Sequence, residues 1–334
     1  MGAAGRLSAL VVAVLLALVA WEVAEAGMLP DIPQCRPEVE VVTHVVSSAA
    51  YDAFSVIAAD IDGDGDLDLA SASFSDDKIA WYENTDGAGT FGPQQVVSTA
   101  ANGPYSVIAA DMDGDGDLDL VSASADDKIA WYENLYGNGT FGPQQVVTTA
   151  ADSARSVIAA DMDGDGDLDL ASASFSDDKI AWYENTDGFG TFGPQQVVST
   201  AANGARSVIA ADIDGDGDLD LASASQYDDK IAWYENTDGA GSFGPQQVVS
   251  TGADFALSVV AGDIDGDGDL DLASASYRDH KIAWYENTGG PGIFGPQQVV
   301  TTTADGASSV IAADMDGDGD LDLVSASADD KIAW

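Results

Sequence analysis

Six copies of one nine-residue string carry most of the chemistry in this chain. Each reads D-x-D-G-D-G-D-L-D and sets five aspartates on alternate positions. The first copy holds Asp60, Asp62, Asp64, Asp66 and Asp68; the second holds Asp111, Asp113, Asp115, Asp117 and Asp119. The third holds Asp161, Asp163, Asp165, Asp167 and Asp169; the fourth holds Asp212, Asp214, Asp216, Asp218 and Asp220. The fifth holds Asp263, Asp265, Asp267, Asp269 and Asp271; the sixth holds Asp314, Asp316, Asp318, Asp320 and Asp322. Five carboxylates within nine residues repel one another strongly unless a cation neutralises them. Gly63 and Gly65 let the backbone curl so that the acids converge. Hard oxygen donors in this number suit calcium, whereas magnesium takes fewer protein ligands and keeps its waters. About one Ca2+ per repeat is the expected cofactor, and its expected role is structural. An acidic turn without metal is the alternative, and the density of like charge opposes it. The loop is no EF-hand, since its twelfth position is Ser71 where that loop needs a bidentate glutamate.

The elements that must position these loops repeat with them. The loops open 51, 50, 51, 51 and 51 residues apart, a period that suits one propeller blade per unit. In the first unit Ser55–Ala59 is a short β-prone run, followed by the aspartate loop and a second run, Leu69–Ser73. A third run covers Lys78–Asn84, turn-formers fill 85–93, and a fourth run covers Gln94–Thr99. Ile79 and Trp81 fall on one face of the third strand and Ala80 and Tyr82 on the other. Both faces are apolar, as in a blade held between two neighbours. No helical periodicity occurs in the repeats.

The expected fold is all-β: a propeller of four-stranded antiparallel blades. Residues 41–48 (VVTHVVSS) resemble a fourth strand with no first three before it, and the last unit stops after its third strand at Trp334. The orphan strand is therefore expected to complete the sixth blade and close the ring, removing open edges. Seven blades are the alternative if the chain is truncated.

The residues resemble the FG-GAP/VCBS repeats, known best from the propellers of integrin α subunits. The likeness covers about residues 41–334 and rests on the aspartate string and on Asn84…Gly89-Thr90-Phe91-Gly92, both repeated in register. It implies that Asp60, Asp62, Asp64 and Asp68, with their counterparts, bind calcium through side chains. It also implies that Asp66 binds through its backbone carbonyl, which leaves the Asp66 side chain without an assigned task. The Gly-Ala-Pro half of the family name has no clear counterpart here; only Phe91-Gly92-Pro93 stands out.

Bulk properties restrict the partners. The chain has 58 acidic and 11 basic residues in 334, a net charge of −47, which repels nucleic acid and anionic membranes. Residues 1–26 read as a signal peptide, with Arg6, an apolar run over Leu10–Ala20 and the small-x-small site Ala24-Glu25-Ala26. A membrane anchor is the alternative, and the run is short for one. The mature chain is thus expected to be secreted, with a short arm over 27–40 and no membrane span. Cys35 on that arm is the only cysteine; it excludes an internal disulfide and leaves a free thiol or an intermolecular bridge. Asn138-Gly139-Thr140 is the one N-glycosylation sequon.

Strand alternation sets the aspartate loops on one rim and the most variable loops on the other. There the variation brings in Phe74, Tyr105, Arg155, Phe175, Arg206, Tyr227, Tyr277 and Arg278. Aromatics and arginines are the usual anchors of interfaces, so this rim is the candidate ligand face; drift in exposed loops is the alternative. The acid pairs beginning at Asp76, Asp126, Asp177 and Asp228 share this rim. Opposed carboxylates serve glycoside chemistry, and equally they solvate a turn or cap the following lysine. His44 and His280 stand alone, with no nucleophile motif beside them. The favoured function is a non-catalytic adhesion or ligand-binding module for an extracellular protein or glycan. The alternatives are a carbohydrate-active hydrolase or lyase, and a structural coat or calcium-buffering protein.

Overall fold

The computed structural model describes residues 44–334. The expected signal peptide, the 27–40 arm with Cys35, and the first three residues of the expected closing strand lie outside these residues. Every regular element among them is a strand, gathered into six antiparallel sheets arranged as a six-bladed β-propeller. The first blade runs Ala53–Ala59, Asp68–Ser73, Lys78–Tyr82 and Gln95–Ser98, each strand beside the next. Its inner strand packs on the inner strand Pro104–Ala110 of the second blade, and the same contact recurs from blade to blade up to the sixth.

Burial explains why the sequence makes blades. The second and third strands are buried throughout in blades two to four, apart from the lysines that open the third strands of blades three and four. One apolar cluster fills each of the five interfaces between consecutive blades. In the first, Ile79 and Trp81 of one blade meet Val107, Leu120 and Tyr132 of the next. Each such side chain contributes about 1.5–3 kcal/mol through burial. The period-2 alternation of each third strand thus serves two different interfaces.

Glycine and asparagine of the second family motif hold the blades together. A Cβ at Gly139 would lie 2.1 Å from the Trp81 ring, so only glycine lets this hairpin cover the preceding blade's tryptophan. Asn134 donates through Nδ2 to the Ile61 carbonyl of the preceding blade at 2.8 Å. Asn185, Asn236 and Asn287 repeat that bond to Met112, Met162 and Ile213.

The closing strand differs from expectation. Residues 44–48 form no strand, and the sixth sheet has three strands among the described residues. Its last strand, Lys331–Ala333, is exposed throughout. Trp334 is 68% exposed, whereas its counterpart Trp81 is 3% exposed under the next blade's hairpin. Val56 on the first blade is half-buried, and its counterparts Val107, Val157, Val208, Val259 and Val310 are buried.

Candidate functional site

The first aspartate loop joins the inner strand to the second strand and is held in shape by its own carboxylates. Asp60 accepts the Gly65 amide at 3.1 Å, Asp62 accepts the Asp64 amide at 3.3 Å, and Asp64 accepts the Asp66 amide at 2.9 Å. Gly63 and Gly65 take φ of 73° and 95°, the region a side chain resists. Asp68 is buried and ties the loop to the hairpin beyond. Its two oxygens accept the Ile61 amide at 3.1 Å and the Asn84 amide at 2.7 Å.

This arrangement brings ligand atoms of Asp60, Asp62 and Asp68 within 4.8 Å of one another. Equivalent triads occur in other units, with Asp115 replacing the ninth-position acid in the second. The fit to a cation is chemical as well as geometric. Oδ1 of Asp60, Asp212 and Asp263 is buried without a hydrogen-bond partner, a costly state for a charged oxygen. Burial pushes Asp119 and Asp169 up to about 7 and Asp220 to about 6, with neighbouring carboxylates adding to the shift. A hard cation would satisfy those oxygens and relieve that repulsion. The Asp66 side chain has a packing role: a Cβ on Gly87 would lie 2.4 Å from its carboxylate. It therefore fills the space beside the hairpin, as Asp117 does at Gly137.

The paired acids on the other rim are occupied. Asp76 bonds Lys78 at 2.8 Å, and each later lysine pairs with the aspartate two residues before it. The second acid takes a left-handed backbone, with φ of 57° at Asp77, and accepts an amide from the next blade. Asp77 accepts from Gly103 at 2.9 Å, Asp127 from Ser153 at 3.0 Å, Asp178 from Gly204 at 2.9 Å and Asp229 from Phe255 at 2.9 Å. His280 stands at this position in the fifth blade and accepts from Gly306 through Nδ1. These residues latch neighbouring blades.

The eight residues expected on the ligand face lie on one belt. Phe74 and Tyr105 stack with centroids 4.8 Å apart. The Arg155 guanidinium lies 3.6 Å over Tyr105 and 4.8 Å from Phe175, and Arg206 lies 4.8 Å over Phe175. Phe175 meets Tyr227 at 5.2 Å. Tyr277 and Arg278 join through Phe255, at 5.9 Å and 4.2 Å. Sequence reasoning missed Phe54, which touches both Phe74 and Tyr105, and left Phe255 out of the face. The signal available for Phe54 was its place directly before Ser55-Val56, matching Tyr105 and Arg155 before their own Ser-Val pairs. Phe54, Tyr105, Arg155 and Arg206 are all second residues of inner strands. In each case the ladder skips that residue as a β-bulge, a device that re-aims a side chain.

Five overlapping segments, 60–122, 111–172, 165–223, 212–274 and 263–325, match the model of the FG-GAP-like repeat. The chain belongs to the FG-GAP-like repeat family. No curated protein matches it. Among solved structures, this FG-GAP-like chain is similar to an Agrocybe aegerita lectin described as recognising non-reducing terminal N-acetylglucosamine. Identity is 22% and the TM-score 0.59, over 81% of this chain and 74% of the lectin. The V. cholerae biofilm matrix protein Bap1 is 22% identical with a TM-score of 0.47, over 77% of this chain and 40% of Bap1. The exotype rhamnogalacturonan lyase YesX is 17% identical with a TM-score of 0.47, over 82% of this chain and 53% of YesX. At these identities the likeness is one of fold.

Proposed function

We propose that this FG-GAP-like propeller is a secreted, non-catalytic module that binds an extracellular glycan or protein, with calcium in the aspartate loops as a structural ion. The division of labour between the rims supports the reading. One rim repeats an oxygen-rich loop nearly unchanged in every unit, as a scaffold requires. The other carries a continuous aromatic and arginine belt that differs from blade to blade, as selective recognition requires. The single observation that carries the binding role is that belt, built on β-bulges at the mouth of the inner strands. The acid pairs that would serve a hydrolase are engaged with lysines and backbone amides, which supports a role without catalysis. The lectin of similar fold supports glycans as the first ligands to test.

The test is a glycan panel probed with the purified chain in saturating calcium and again in a chelator. Binding of a defined glycan set, lost on chelation with the fold, is the expected result. Hydrolysis or cleavage of any panel member would move the protein to the enzyme reading. Calcium uptake without binding to any glycan or matrix protein would move it to the coat or buffering reading.

A further inference from the structure

The arginines of this protein are in an unusual position for so acidic a chain. Each of the six lysines has its own aspartate. Arg155, Arg206 and Arg278 form no ion pair with a carboxylate among the described residues, in a chain of net charge −47. All three lie instead over aromatic rings of the belt. Arg155 and Arg206 occupy the same bulged position in adjacent blades and share the Phe175 ring.

The pair is strained electrostatically. Arg155 and Arg206 are half-buried. Burial, with the like charge of Arg155 beside it, pushes Arg206 down to about 10, which leaves it charged at neutral pH. Burial also lowers Arg155. Arg155 Nε is buried and donates to no partner, whereas Arg206 Nε donates to Gln226. An unpaired donor on a charged group is costly to bury. Two guanidiniums present planar forks that match a carboxylate.

The flanking rings add a second requirement. Tyr227 packs against Phe175 beside the pair at 5.2 Å and is 55% exposed, which leaves apolar ring surface open to solvent. The C–H face of a pyranose packs on such a ring by dispersion. Phe255 shows that the belt is maintained against a backbone cost. It takes φ of 65° where Gly103, Gly204 and Gly306 stand in three other blades and Asp52 and Ser153 in the remaining two, a conformation that costs a side chain roughly 1–2 kcal/mol.

From this geometry we infer that Arg155 and Arg206 bind the carboxylate of an acidic sugar, whose ring stacks on the adjoining aromatic side chains. The inference rests on the ligand-face reading above and narrows it to uronic-acid-type glycans. Binding weakens as salt rises, because a charge pair at a half-open rim is screened.

The experiment is titration calorimetry on the full chain in saturating calcium. The probes are a glucuronic acid trisaccharide, its methyl ester, a neutral glucose trisaccharide and a glutamate-rich peptide. The acid form is expected to bind at least about tenfold more tightly than its ester, the scale of a charge-assisted hydrogen bond. Arg155→Gln and Arg206→Gln should each remove that preference, while Tyr136→Ser, at an exposed side chain on the opposite rim, retains it. The comparison of acid with ester on the unaltered chain stands even if a variant fails to fold. Equal binding of acid, ester and neutral probes would overturn the inference and leave a neutral-glycan face intact. Arginine-dependent binding of the peptide alone would overturn it in favour of an acidic protein partner. Acid preference that survives both Arg155→Gln and Arg206→Gln would place the carboxylate elsewhere, again overturning it. If none of the four probes binds, both the inference and the ligand-face reading fall.

Discussion

The two rims of this propeller treat charge in opposite ways. On the aspartate rim, like charges are crowded and repeated, and every loop has nearly the same sequence. Their cost falls only if a cation enters, so each unit must keep the whole set. On the aromatic rim, each lysine pairs with an aspartate of its own blade, and the acid that follows accepts a backbone amide of the next blade. Among the described residues the arginines have no carboxylate partner, and they differ from blade to blade. Repetition therefore marks what every blade needs to stand beside its neighbour, and departure from repetition marks what one place on the ring does alone.

The largest effect should come from emptying the aspartate rim. At tenfold saturation each site contributes about 1.4 kcal/mol. Six together give about 8 kcal/mol, the scale of a domain's net stability. Chelation should lower the melting temperature by about 15 °C. The pH dependence sharpens this. In the metal-free chain Asp119 and Asp169 sit at about 7 and Asp220 at about 6, above the usual carboxylate value. Their folded state holds protons more tightly than the unfolded state. Their contribution is thus complete below about pH 4 and is lost as pH rises through 6 to 7. Lowering pH from about 8 to about 5 should raise the melting temperature in chelator and shrink the gain on adding calcium, because protons compete with the ion. Scanning fluorimetry across that range reads both slopes; parallel slopes would remove the aspartates as the metal site.

A single loop should respond according to which job its aspartate does. Asp169 accepts the Asn185 amide at 2.7 Å and the Met162 amide at 3.0 Å in a buried position. Asp169→Ala strands both donors and should cost about 3 kcal/mol in urea unfolding, most of it persisting in chelator. Asp165 is exposed and accepts only the Asp167 amide. Asp165→Ala should cost about 1 kcal/mol, and chelator should erase most of the difference. Equal losses from both variants in chelator would mean that the ninth aspartate is no more structural than the fifth.

Local chemistry was legible in the sequence and long-range geometry was less so. The blade unit, its four strands and the aspartate loop follow from period, alternation and turn residues, each set within about ten positions. That a third strand turns its two faces to different neighbours, as Trp131 and Tyr132 do, also followed from alternation alone. The latching role of Asp77 did not, because its partner amide lies on the next blade at Gly103. The bulges that aim Phe54, Tyr105, Arg155 and Arg206 were hidden for the same reason: a skipped residue exists only relative to the partner strand. Counting strands predicted a closing strand over 41–48; residues 44–48 form none, and the first three lie outside the described residues.

The smallest expected change in stability is at Phe255, and it bears directly on the aromatic rim. Its left-handed backbone, φ 65°, favours glycine by about 1–2 kcal/mol. Its ring contacts Tyr227 at 6.3 Å and Tyr277 at 5.9 Å, contacts worth about 0.5–1.5 kcal/mol each. The two terms oppose each other, so Phe255→Gly should leave folding stability within about 1 kcal/mol of the parent. If the ring is there for a ligand, affinity for the acidic trisaccharide should fall several-fold in the same variant. Urea unfolding and calorimetry on one preparation separate the outcomes. A stability loss well above that margin, with affinity unchanged, would make Phe255 a packing residue and shorten the binding face to the first four blades.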